Sequence, residues 1–66
     1  MIIVRVKFYH WNDFKKTVDV TSDMCESLKH CKNDIELFTL AIKYIERRYI
    51  ECMNIDSVEV IARWEN

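Results

Sequence analysis

The hydrophobic periodicity of this 66-residue chain changes twice along its length, and this change limits the folds that the chain can adopt. Apolar and polar residues alternate with a period of two near both ends, which is the pattern of a half-buried β-strand. Between these segments, apolar residues recur at intervals of three and four, which is typical of an amphipathic helix. The sequence therefore predicts an α+β fold in the order β-β-α-β, with a further short helix if a polar segment before the long helix also becomes helical.

The N-terminal third of the chain predicts a β-hairpin. Residues 2–11 and 17–21 both alternate, on either side of a polar turn at Asn12 and Asp13. A two-residue turn would pair core positions of one strand with solvated positions of the other. We therefore expect a three-residue connection, or an equivalent bulge, that brings the core valines of the two strands to one face. Because the chain has no glycine, Asn12 or Asp13 must supply any residue with a positive φ.

The middle of the chain predicts one long helix over residues 34–52. Its capping signal is Asn33 followed by Glu36, and its main apolar stripe consists of Ile35, Phe38, Ala41, Ile42, Ile45, Tyr49 and Cys52. A second apolar group, Leu37, Leu40 and Tyr44, falls on the other side of this helix. The pattern of residues 23–32 predicts either a short helix or one or two frayed turns. We expect this segment to cover the second apolar group of the long helix.

A third strand is predicted at the end of the chain. After a polar break at residues 54–57, residues 58–65 alternate again. We expect this strand to lie beside the first strand, and parallel to it if the helix returns the chain to the starting edge of the hairpin. The resulting three-stranded sheet, formed by the hairpin and the C-terminal strand with the long helix on one face, resembles the β-grasp fold in outline. A chain of 8.0 kDa supports one core, so we expect a single domain over residues 1–66.

The absence of glycine also excludes several classes of function. Phosphate-binding loops and nucleophile elbows need glycine for a close backbone approach or a sharp turn. Cys25, His30 and Cys31 are residue types that bind zinc, but their spacing matches neither a CxxC nor an HxxxH pair. We therefore expect neither enzyme activity nor a metal or cofactor.

The cysteine count and the apolar runs indicate the compartment. Three cysteines are an odd number and too few for a disulfide framework, which favours a reducing environment. No apolar run approaches the length of a transmembrane helix, and the start of the chain alternates rather than forming a signal peptide. We expect a cytoplasmic protein that does not bind membranes.

Two exposed groups are candidate anchors for a partner protein: Arg5, Tyr9 and Trp11 on the hairpin, and Leu37, Leu40 and Tyr44 on the helix. Tyrosine, tryptophan and arginine are enriched among the residues that dominate protein interfaces. The chain is also rich in isoleucine, lysine, glutamate and asparagine, as an AT-rich coding sequence would give. Small compact chains of this kind are frequent in phages and mobile elements, where they bind or inhibit host proteins. We therefore expect a small protein-binding module, and its partner is another protein or a second copy bound through the helix group.

The alternative function is binding of single-stranded nucleic acid. The residues that would carry it are Arg5, Lys7, Tyr9, Trp11, Lys15 and Lys16. Bases stack on aromatic rings while basic groups meet phosphates. However, Asp19 is expected to lie near Arg5 and Lys7, and the net charge of the whole chain is -1. These charges favour the protein partner over the nucleic acid.

Overall fold

The computed structural model describes residues 1–64, which form one three-stranded sheet and two helices. The elements in chain order are β1 (Ile2–His10), β2 (Lys15–Thr21), a 3₁₀ helix (Glu26–His30), α1 (Asp34–Arg48) and β3 (Cys52–Arg63). The sheet is antiparallel throughout, in the order β2-β1-β3. The predicted α+β fold with a helix beside a three-stranded sheet is confirmed, while the extension of the last strand to Glu65 lies outside the described residues.

The hairpin has the predicted register. Core valines of β1 and β2 lie opposite each other, as Val4 and Val20 do. Three residues connect His10 to Phe14, and the His10 N–H donates to the Phe14 carbonyl at 2.7 Å. Within residues 1–64, the one residue with positive φ is Asp13, at 65°. Aspartate tolerates this region better than most residues because its short side chain bonds locally, so the turn forms without glycine.

β3 lies beside β1, as expected. It runs antiparallel to β1, so the parallel direction, which we expected if the helix returned the chain to the starting edge of the hairpin, is wrong. β2 ends where β1 begins, since Thr21 pairs with Ile3. The 15 residues of α1 then carry the chain about 22 Å, at about 1.5 Å per residue, to the opposite end of the sheet. Cys52 pairs there with His10. Because α1 is about as long as the sheet, the next strand starts at the opposite end of the sheet. It can then only run back along β1.

The polar segment predicted as a break belongs to β3. Against the regular β1, β3 carries an extra unpaired residue at Met53, Asp56 and Ile61. Such bulges bend a strand and blunt an exposed edge. Residues 54–57 therefore belong to β3 although they do not alternate, because a strand with bulges need not alternate strictly.

The core lies between α1 and one face of the sheet. Its fully buried side chains are Val4, Val6, Phe8, Val20, Leu28, Leu37, Ala41 and Ile45. The helix therefore buries the line through Leu37, Ala41 and Ile45. Ile35, which we predicted to lie in the core, is 75% exposed, and Leu37, which we predicted to lie on the far side, is 2% exposed. Apolar residues cover more of the helix than the sheet can bury, so packing, and not periodicity, decides the rotation of α1.

The segment between β2 and α1 supplies part of the core and part of the cover for α1. Its 3₁₀ helix buries Leu28 completely and contacts α1. The Ser22 hydroxyl accepts a hydrogen bond from the Ile2 N–H at 3.0 Å and ties the segment to the start of β1. The segment contacts α1 as a short 3₁₀ helix. Because Leu40 and Tyr44 stay half-buried, it covers the second apolar group only in part. Helix α1 ends at Arg48, earlier than predicted, because Cys52 already belongs to β3.

Candidate functional site

The face of the sheet opposite α1 carries two ion pairs, Arg5 with Asp19 and Lys15 with Asp56. Arg5 lies between Asp19 of β2 and Glu59 of β3. Its guanidinium binds both carboxylate oxygens of Asp19, at 2.8 and 3.2 Å. This hydrogen bonding lowers the pKa of Asp19 and raises that of Arg5. The predicted proximity of Arg5 and Asp19 is confirmed, and it commits Arg5 to a partner within its own sheet.

Tyr9 and Lys15 form a second interaction on the same face. The Lys15 Nζ lies 5.2 Å from the centre of the Tyr9 ring and 3.4 Å from an Asp56 oxygen. The hydrogen bond to Asp56 raises the pKa of Lys15. The lysine therefore covers part of Tyr9, which keeps only 40% of its surface exposed.

The six residues predicted to bind nucleic acid do not form one cationic surface. Lys7 and Arg5 share the open face of β1, where Ser57 and Glu59 lie opposite them. Lys16 lies opposite the buried Phe8, on the face covered by α1, and its Nζ is 5.0 Å from the centre of the Tyr49 ring. The three basic residues of the open face, Arg5, Lys7 and Lys15, are matched by three acidic ones, Asp19, Asp56 and Glu59.

One end of the sheet instead carries a cluster of aromatic side chains at the hairpin loop. The His10 imidazole stacks on Phe14, with ring centres 4.2 Å apart, and Trp11 meets His10 edge-on at 5.9 Å. The His10 Nδ1 accepts a hydrogen bond from the Asn12 N–H at 3.1 Å. Trp11 is 57% exposed and Phe14 48% exposed.

Residues 50–53 lie beside this loop and extend the apolar surface. The Trp11 N–H donates to the Glu51 carbonyl at 3.1 Å. Ile50 is 80% exposed and Met53 61% exposed. We call the surface formed by these two segments the tip patch; its residues are His10, Trp11, Phe14, Ile50 and Met53.

Sequence reasoning found Trp11 but missed the other four members of the tip patch. Phe14 follows the turn, where the alternation does not show which face of the sheet a residue occupies. Ile50 and Met53 fall outside the helical stripe and the predicted strand. Their proximity to Trp11 depends on the pairing of His10 with Cys52, which is a long-range contact. The one available signal is that Ile50 and Met53 are large apolar residues that fit neither pattern.

The predicted helix group divides in the structure. Leu37 is in the core and offers no surface to a partner. Leu40 and Tyr44 are half-buried and line a groove of about 450 Å³, together with Met24 and Cys25. The patch proposed for a homodimer is therefore smaller than the sequence indicated.

The structure also gives information on the cysteine thiols, on metal-binding clusters and on membrane-spanning helices. Burial raises the pKa of the Cys31 and Cys52 thiols, and Cys25 is also unpaired. Among residues 1–64, no cluster of histidine, cysteine, aspartate and glutamate has an arrangement suited to a metal ion. Neither helix in that range has the length and hydropathy that a membrane span requires.

Comparison of the chain with protein-family models, with curated proteins and with solved structures finds no match.

Proposed function

We propose that this chain is a small non-enzymatic protein-binding module and that the tip patch is its anchor. The observation that carries this proposal is the exposure of four large apolar side chains at one end of the sheet: Trp11, Phe14, Ile50 and Met53. Large apolar side chains left exposed together at one end of a small domain are typical of protein interaction sites. Large apolar side chains are also exposed elsewhere, among them Ile35 and Trp64, but the tip brings four of them to one end of the sheet.

The tip patch is also ordered before binding. The hydrogen bond from the His10 N–H to the Phe14 carbonyl closes the loop, and that from the Trp11 N–H to the Glu51 carbonyl joins the loop to residues 50–53. Fixing these groups in advance reduces the entropy that binding would otherwise cost. Tryptophan is a frequent anchor of interfaces, and methionine adapts its shape to the surface it meets. These properties support recognition of an apolar pocket or groove on a partner protein.

The pairing of charges on the open sheet face favours a protein over a nucleic acid. A nucleic-acid groove needs basic groups that are available for phosphates. Arg5 and Lys15 are held by Asp19 and Asp56, and Lys16 lies on the opposite face. The nucleic-acid alternative therefore lacks the surface that its six residues were expected to form.

A binder of this size acts by occupying a surface of its partner, so we propose that it works as a stoichiometric inhibitor of the protein it binds. An origin in a phage or mobile element is part of the same proposal and rests on composition alone. We further propose that it works in the cytoplasm, which the unpaired thiols of Cys25, Cys31 and Cys52 support.

A pull-down from extracts of the source cells tests the function. The variant Trp11→Ala/Met53→Ala removes two exposed anchors, and Ile35→Ala is the control, since Ile35 is more exposed than either anchor but belongs to the first turn of α1. We expect the wild type and the control to retain the same protein, and the double variant to lose it. Circular dichroism checks that all three chains are folded. Equal retention by the double variant, or loss by the control alone, contradicts the proposal.

A further inference from the structure

A groove between α1 and the segment after β2 is not explained by the tip patch. It has a volume of about 450 Å³, and Met24, Cys25, Leu40 and Tyr44 supply its apolar lining. Met24 is exposed, and Leu40 and Tyr44 are half-buried. Clefts of this size accept large side chains or small ligands. The groove therefore presents an apolar floor that the fold leaves open.

The rim of this groove is basic. Lys43, Arg47 and Arg48 line it, and within residues 1–64 no aspartate or glutamate does. The ion pairs found among residues 1–64 involve Arg5, Lys15 and Arg63, so none of them neutralises the rim. The rim thus differs from the open sheet face, where acidic residues match the basic ones.

We propose that this groove binds an acidic segment of a partner protein, with an apolar side chain on the floor and carboxylates on the rim. Arg48 lies over the Tyr44 ring, with its guanidinium carbon 5.2 Å from the ring centre, so one cation is held in place before binding. The same contact covers one face of Tyr44, which leaves less ring for a nucleotide base to stack on. Charge and apolar lining together favour a peptide over a nucleic acid.

This proposal concerns a different surface from the tip patch and stands without it. Its test is selection from a displayed random-peptide library with three proteins: the wild type, Lys43→Glu/Arg47→Glu, and the control Lys32→Glu. Lys32 is exposed and does not line the groove. We expect the wild type and the control to recover peptides in which aspartate or glutamate flanks a large apolar residue. The double variant should recover no such peptides.

Affinities and a map of the binding site complete the test. For one recovered peptide, the double variant should bind about tenfold more weakly by fluorescence polarisation, because two exposed ion pairs are lost and become repulsive. Lys32→Glu should bind within about twofold of the wild type. Chemical shifts in the NMR spectrum should move at residues 24–25 and 40–48. If the selected peptides carry no acidic residues, if the double variant binds them equally, or if oligothymidylate displaces them from the groove, the proposal is wrong.

Discussion

Replacement of Leu37 by alanine should destabilise the fold far more than replacement of Ile35. Leu37 is 2% exposed and packs in the core between α1 and the sheet, whereas Ile35 is 75% exposed. Both residues belong to α1, so the two variants alter the same helix and differ in the burial of the side chain that is replaced. The pair is informative because hydrophobic periodicity alone predicts the opposite order.

The expected magnitude follows from burial. Truncation of a fully buried leucine to alanine costs about 2–5 kcal/mol, since it removes buried methyl groups and leaves a cavity. Domains are stable by about 0.05–0.15 kcal/mol per residue, which is about 3–10 kcal/mol for a chain of this length. A loss of about 3 kcal/mol would therefore lower the Tm by about 12–24 °C. Ile35→Ala should change the free energy of unfolding by less than about 0.5 kcal/mol, as for other exposed positions.

Urea denaturation followed by circular dichroism at 25 °C measures both free energies, and thermal melting measures the Tm. Far-UV spectra at low urea show whether Leu37→Ala still folds. If it does not fold, Leu37→Val provides a milder truncation with the same expected direction. A larger loss of stability in Ile35→Ala than in the Leu37 variants would refute the assigned rotation of α1.

Three further changes test the helix cap, the hairpin turn and the charge pair. Asn33→Ala should cost about 1 kcal/mol of unfolding free energy in urea melts, because the Asn33 side chain accepts the Glu36 N–H at 2.9 Å. Asp13→Val should cost about 1–2 kcal/mol, since a β-branched residue tolerates positive φ poorly, while Asp13→Gly should be neutral by comparison in the same assay. Because Arg5 lowers the pKa of Asp19 in the folded state, this pair stabilises the protein above the unfolded-state pKa of aspartate, about 3.9. That stability is lost as the pH falls through the lower folded-state value, so the wild type should exceed Asp19→Asn in stability in urea melts at pH 7, and the difference should shrink as the pH falls below about 3.9.

The hairpin could be predicted because its pattern depends on local residues. Alternation along residues 2–11 and 17–21 identifies both strands of the hairpin. The requirement that the valines share one face determines that the turn has an odd number of residues. With no glycine in the chain, the positive φ falls on Asp13. These features need no knowledge of distant contacts.

The rotation of α1 and the direction of β3 could not be predicted in the same way. Apolar residues surround most of α1, so two different lines could have faced the sheet, and only packing against the valines and Phe8 selects the line through Leu37. The direction of β3 depends on where α1 ends relative to the sheet. Helix length contains that information, but the predicted end at residue 52 was four residues beyond the observed end at Arg48.

The candidate site also has one part that local residues predict and another that depends on long-range contacts. Trp11 is recognisable from its place beside a predicted turn. Ile50 and Met53 reach the tip only through the pairing of His10 with Cys52 and the bulge that follows it. A surface composed of residues nearly 40 positions apart, such as Trp11 and Ile50, requires the fold before it can be seen.

The most direct test of the tip patch as a protein-binding surface is photo-crosslinking in the source cells. The photoreactive residue p-benzoylphenylalanine replaces Ile50 in one chain and Ile35 in a second, because both side chains are highly exposed and only Ile50 belongs to the tip patch. We expect irradiation to attach one discrete protein to the chain labelled at position 50 and not to the chain labelled at position 35. Equal adducts from both positions, an adduct only from position 35, or crosslinks to nucleic acid in place of protein would contradict the proposal.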